Sequence, residues 1–77
     1  MEAIKMESVN SSNIKEIGYN AKNKVMLVKF HTGAMYSYSM VTAKTYNEFK
    51  NAQSVGKYFA TNIKDKYPTL KVEEKLK

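Results

Sequence analysis

VMLVKFHTGAMYSY, Val25 to Tyr38, is a strand, a glycine turn and a returning strand, and the rest of the chain reads as its cover. Successive strand side chains point to opposite faces, so Met26, Val28 and Phe30 share one face while Val25, Leu27, Lys29 and His31 take the other. Gly33 supplies the positive φ that reverses the chain. Because Thr32 before it is β-branched, a three-residue loop with a glycine bulge fits better than a type I′ turn. On the return, Ala34, Tyr36, Tyr38 and Met40 share the packing face, and Met35, Ser37 and Ser39 the opposite one. The second face is expected to be mostly polar.

Upstream, Ile14 and Ile17 followed by Gly18 and the run Asn20-Ala21-Lys22-Asn23 read as a preceding strand closed by a turn, with Asn20 and Asn23 tolerant of left-handed backbone. Three antiparallel strands, at about residues 13–20, 24–31 and 34–41, therefore form a meander. After Val41 the apolar period lengthens from two to about 3.6. Thr42 caps a helix over about residues 43–53, with Tyr46, Phe49, Ala52 and Gln53 along one side. Ser54 caps a second helix in which Val55, Phe59, Ile63 and Tyr67 recur every four residues toward the sheet, until Pro68 ends it.

Ile4, Met6 and Val9 suit a short edge strand or a loose lead-in, and Thr69 to Lys77 alternates Leu70, Val72 and Leu76 with charges. That alternation suits an edge strand, a frayed helix or a partner-binding segment, and the favoured reading of residues 68–77 is a mobile end with Leu70 and Val72 loosely docked. The expected fold class is α+β, a three-stranded antiparallel β-meander followed by two α-helices packed on one face, in a single domain over residues 1–77.

A chain this short buries only about 60 to 65% of its unfolded surface, so extra buried area from an oligomer would add stability. Without cysteine it has neither disulfides nor thiolate metal ligands, which suits a reducing compartment and a cytoplasmic location. The N-terminal MEAIKMESVNSSN carries no apolar signal core, and the longest aliphatic run is Val25 to Val28, so no membrane span is expected. The net charge of +6 permits a polyanionic partner. All thirteen basic residues are lysine, however, and bidentate base reading is arginine's strength, so sequence-specific DNA recognition loses weight. Lysine is also the ordinary solubilising residue of a solvated face.

Catalytic constellations are poorly supported. His31 and Asp65 are the sole histidine and aspartate, and a Ser-His-Asp site would need both, one at a hairpin end and the other late on a helix. One histidine without cysteine does not assemble a zinc shell, and Gly56 after Ser54 is no phosphate loop. No catalytic residue, metal or cofactor is therefore expected.

Six tyrosines and three phenylalanines offer base stacking, but Phe30, Phe49, Phe59, Tyr46, Tyr36 and Tyr38 sit at inward periodic positions, where a large ring fills a small core. Tyr19, beside a turn, and Tyr58, at a helix start, are the better stacking candidates. Lys15, Lys29, His31, Ser37 and Ser39 are expected to share the outer sheet face as a phosphate- or protein-contacting patch. Lys57 and Lys64, with Lys66, form a second basic ridge. Alternation alone also puts polar residues at such positions.

The order Ser11-Ser12-Asn13-Ile14, Ile17-Gly18-Tyr19, Val28-x-Phe30-x-x-Gly33-x-x-Tyr36-x-Tyr38 and Tyr46-x-x-Phe49-x-x-Ala52-x-Ser54-x-Gly56-x-Tyr58-Phe59, then Ile63 and Tyr67, resembles the KTSC domain. That domain is found at the C-terminus of some lysyl-tRNA synthetases and as short free-standing proteins of phages and bacteria. The resemblance covers about residues 11–67, with Asn20 and Thr42 where the family often has Asp and Pro. Asn still makes the turn and Thr still caps the helix.

What the resemblance implies is a compact α+β domain and, from the company it keeps, contact with RNA. The function expected is a small non-enzymatic binding module that contacts RNA or single strands through lysines and exposed aromatics. The alternative is a protein-interaction module, such as a phage-type protein that modulates a host factor, or a small homo-oligomer.

Overall fold

The computed structural model describes residues 4–72. One antiparallel sheet contains β1 (Met6–Ser8), β2 (Ile14–Asn20), β3 (Val25–Phe30), β4 (Met35–Ser39) and β5 (Thr69–Val72), side by side in chain order. Between β4 and β5 the chain forms α1 (Ala43–Lys50), a single α-helical turn α2 (Val55–Tyr58), and a π-helical turn (Phe59–Ile63). The class is α+β as expected, but the sheet has five strands instead of three. The central meander is flanked by a three-residue edge on one side and by the start of the supposed tail on the other. The remainder of that tail, including Leu76, lies outside the described residues.

The β3–β4 register pairs Met26 with Tyr38 and Val28 with Tyr36, so the inner face follows from the alternation. Phe30 donates its backbone N–H to the Ala34 carbonyl at 2.8 Å, and Gly33 donates to the Phe30 carbonyl at 2.9 Å. These bonds close the expected three-residue loop, with Gly33 at φ 99°. In β2, a bulge between Ile14 and Glu16 inserts Lys15 as an extra residue opposite Lys29. The insertion brings Ile14 and Ile17, three apart in sequence, onto the same inner face, where both are fully buried.

The β2–β3 turn uses Asn20 as its anchor. Its Oδ1 accepts from the N–H groups of Lys22 (3.0 Å) and Asn23 (3.3 Å), while the left-handed residue is Lys24 at φ 57°, not an asparagine. Met40 departs from the expected inner face. It takes φ 67° and is 70% exposed, and Val41 is buried in its place.

Both helix starts are capped as the sequence predicts. Thr42 Oγ1 accepts from the Thr45 N–H at 3.2 Å, and Ser54 Oγ from the Lys57 N–H at 3.3 Å, each bond typically contributing about 1 kcal/mol. Tyr46 and Phe49 of α1 join Ile14, Ile17, Met26, Val28, Tyr38, Val41, Val55 and Ile63 in one core.

The second helix is the main correction. A continuous α-helix to Tyr67 was expected, but only one α-helical turn forms before the chain widens, with the Lys64 N–H donating to the Phe59 carbonyl five residues back at 2.9 Å. The segment ends before Asp65 at φ 64°, three residues ahead of Pro68. Val55 and Ile63 still face inward, while Phe59 is only partly covered.

Candidate functional site

Phe59 opens the π-helical turn and stands at the centre of an aromatic cluster. Its ring meets Phe30 edge-on at 5.4 Å between centroids, Tyr38 at 5.8 Å and Phe49 at 6.3 Å, and Phe30 in turn meets Tyr36 edge-on at 6.0 Å. Edge-to-face geometry holds these rings rigid against one another. Phe30, Tyr36 and Phe59 remain partly uncovered, because the wide turn leaves a gap between itself and the β3–β4 hairpin.

That gap is an open groove with two connected ends. One end, of about 380 Å³, lies among Ser12, Asn13, His31, Gly56 and Ala60. The other, of about 410 Å³, lies among Tyr36, Tyr38, Asp65 and Thr69. Phe30, Phe59 and Lys64 line both hollows, so the two flank one aromatic pair with Lys64 beside it. Lys71, opposite Tyr36 in the β4–β5 ladder, sits on the same inner side and adds a second ammonium beyond Tyr36.

His31 is fixed at the first end by a 2.9 Å hydrogen bond between its Nε2 and the Ser11 carbonyl. A carbonyl only accepts, so Nε2 carries a proton and donates it to this bond. Ser11 is held in turn, its Oγ accepting from the N–H groups of Asn13 and Ile14, both at 3.2 Å. At the second end, burial pushes the Tyr38 hydroxyl up to about 12, with Tyr36 and Asp65 adding to the rise, so its phenol is neutral at physiological pH.

The expected site residues other than Tyr19 thus separate into three places. His31 and Lys64 come together in the groove, although His31 was expected on the outer sheet face; the hairpin loop carries it past the strand end, where alternation no longer applies. Lys29, Ser37 and Ser39 are on the outer face, with Lys15 at the bulge beside them. Lys57 and Tyr58 line a separate shallow depression with Gln53, Thr61 and Asn62. The Tyr58 hydroxyl donates to Glu48 Oε1 at 3.2 Å, and its ring stacks on Phe49 at 5.7 Å.

Tyr19 is the clearest correction among the stacking candidates. It is turned inward onto Tyr46 with its hydroxyl bonded to the Val41 carbonyl, so one face of its ring and its hydroxyl are committed within the chain. Phe30, Tyr36 and Phe59, which the periodicity assigned to the core, are partly covered like Tyr19 but line the hollows beside the π-helical turn. The regular four-residue spacing of Val55, Phe59 and Ile63 concealed the π-turn that lifts Phe59 partly clear.

The outer face is also not the polar surface expected. Across the strands run two rows, Met6, Gly18, Leu27, Ser37, Leu70 and Ser8, Glu16, Lys29, Met35, Val72. The added edge strands contribute apolar side chains to it.

A sequence model of the KTSC domain matches residues 10–67. The crystal structure of a KTSC domain protein from Yersinia pestis superposes with a TM-score of 0.89 at 31% identity, covering 92% of this chain and all of that one (100%). An uncharacterised protein of Stutzerimonas stutzeri is 29% identical over 56 residues, 73% of this chain and 79% of its own. A protein of Tsukamurella paurometabola is 27% identical over 62 residues, 80% of this chain and 92% of its own.

Proposed function

This chain belongs to the KTSC domain family, and from that premise we propose that it is a non-enzymatic module whose groove between the β3–β4 hairpin and the π-turn takes single-stranded nucleic acid, with RNA as the physiological ligand in the cytoplasm. The observation that carries the reading is the pair Phe30 and Phe59 lining two adjoining hollows with Lys64, with His31 at one, Tyr36 and Asp65 at the other and Lys71 across from Tyr36 in the ladder, on a chain of net charge +6. Aromatic faces accept bases of any sequence, and lysines beside them meet the phosphates, so the module is sequence-tolerant. A duplex is excluded, because its stacked bases present no face to the rings.

The test is fluorescence anisotropy with labelled oligo(U), oligo(dT), tRNA and a DNA duplex, at low and at physiological salt. Single strands should bind more tightly than duplex, with log affinity falling by about 0.7 for each phosphate contact per tenfold rise in salt. Tyr36→Ala should weaken oligo(U) binding by roughly 5- to 100-fold through lost stacking, and Lys64→Glu should weaken it while flattening the salt slope. Equal, weak binding to all four ligands that neither variant changes would refute the reading.

A further inference from the structure

We propose that the outer face of the sheet, the side away from the helices, is where a second copy of this chain docks, giving a weak face-to-face dimer that leaves both grooves open. The face carries Met6, Leu27, Leu70, Met35 and Val72 in its two main rows, with Val25 beside them, and the helices α1 and α2 pack on the opposite side. Gly18 leaves a hollow in this surface that Ile4 and Met6 fill. A Cβ placed on Gly18 would lie 2.7 Å from the Ile4 Cγ2 and 2.7 Å from the Met6 Sδ, so the apolar strip is continuous across β1 and β2.

Charge selects the occupant. The chain as a whole is +6, so two copies repel over most of their surfaces. Among the described residues of its paired rows, the outer face holds the charges of Glu16 and Lys29, directly paired across β2 and β3, with Lys15 at the bulge beside them. Among the described residues, neither Glu16 nor Lys29 forms an ion pair within the chain. A two-fold axis running between β2 and β3, parallel to the strands, sets each copy's Glu16 over the other's Lys29, each Leu27 over the other's Gly18 and each Met35 over the other's Ser8, and leaves Leu70 and Val72 of β5 at the rim, beyond the partner's β1. A self-complementary patch of this kind is what an isologous interface requires. A polyanion, by contrast, finds little positive charge there.

Size sets the strength. Four overlapping strands about 4.8 Å apart, with about five residues of 3.3 Å rise each, present roughly 300 Å² per copy, under half the about 800 Å² of a standard interface. An overlap this small suits a weak, exchanging dimer, and since area does not fix affinity it is sought between ~10 μM and ~1 mM.

Sedimentation equilibrium of the full chain across that range tests it. The weight-average mass should climb from 8.8 kDa toward twice that value. Glu16→Lys and Lys29→Glu should each weaken dimerisation by about tenfold or more through like-charge contact, and the double reversal should restore it. Met35→Glu should abolish it and Lys64→Glu should leave it unchanged, with circular dichroism confirming that each variant is folded. A mass fixed at the monomer value at ~1 mM overturns the proposal, as does a dimer indifferent to Met35→Glu. Oligonucleotide binding that is lost in Met35→Glu and kept in Lys64→Glu would also overturn it, by assigning the face to nucleic acid. Because oligo(U) affinity and self-association are read separately, this proposal and the groove reading fail independently.

Discussion

Tyr19 lies flat on Tyr46, ring centroids 4.9 Å apart and planes 13° from parallel, and its hydroxyl donates to the Val41 carbonyl at 2.5 Å. One side chain therefore ties β2 to α1 and to the residue just before the Thr42 cap. Tyr46 is almost fully buried, and burial, with Glu7 adding to it, raises its phenol above the ordinary tyrosine value. Tyr19→Phe keeps the stack but leaves the carbonyl of fully buried Val41 without this donor, at a cost of about 1–2 kcal/mol. Tyr19→Ala removes the stack as well and should cost about 3–5 kcal/mol. Urea unfolding reads both. Tyr19→Phe should leave oligo(U) affinity unchanged, which separates this inward tyrosine from those of the groove.

Gly18 is required by what crosses it. A methyl group there would come within 2.8 Å of the Lys5 carbonyl, a backbone atom, in addition to the Ile4 and Met6 side chains. The side chains can swing aside, but the carbonyl moves only with its strand. Gly18→Ala should therefore destabilise by about 1–3 kcal/mol and push the chain before β1 off the sheet. Faster amide hydrogen exchange at Met6–Ser8, with β3 and β4 still protected, is the expected signature; uniform loss of protection would place the damage in the core instead.

Much of this architecture is written in local pattern. The period-two run of β3 and β4, the three-residue loop at Gly33 and the caps at Thr42 and Ser54 depend on residues close in sequence, and all are formed as expected. What the pattern hides is non-local or off-period. β1 and β5 are three and four residues long and interrupted by Glu7 and Lys71, so they become strands only because β2 and β4 offer them edges. Their arrival adds Met6, Leu70 and Val72 to a sheet face that still carries Ser8, Glu16, Lys29 and Ser37. The π-turn keeps the four-residue spacing of Val55, Phe59 and Ile63, so no local signal distinguished it from a regular helix, and the groove beside it went unseen with it. Lys64 and His31 were both singled out from sequence, but for different surfaces.

Tyr38 makes the fold sensitive to alkali. Its hydroxyl is pushed up to about 12 by burial, with smaller contributions from Tyr36 and Asp65, whereas in the unfolded chain it titrates at 10.0. The folded state therefore holds the proton over a range in which the unfolded state has released it. Stability contributed by the neutral phenol is complete below pH ~10, declines as the pH rises from ~10 to ~12, and is lost above that. The loss over this window is on the order of 2 kcal/mol. Tyr46 and Tyr58 are also raised, so part of the slope belongs to them. Urea unfolding at pH 8, 10 and 11.5 should show stability falling in the upper interval in the parent chain and falling less in Tyr38→Phe. If the two slopes coincide, the alkaline sensitivity comes from Tyr46 and Tyr58, and the Tyr38 hydroxyl at the groove wall is solvated well enough to ionise as freely as in the unfolded chain.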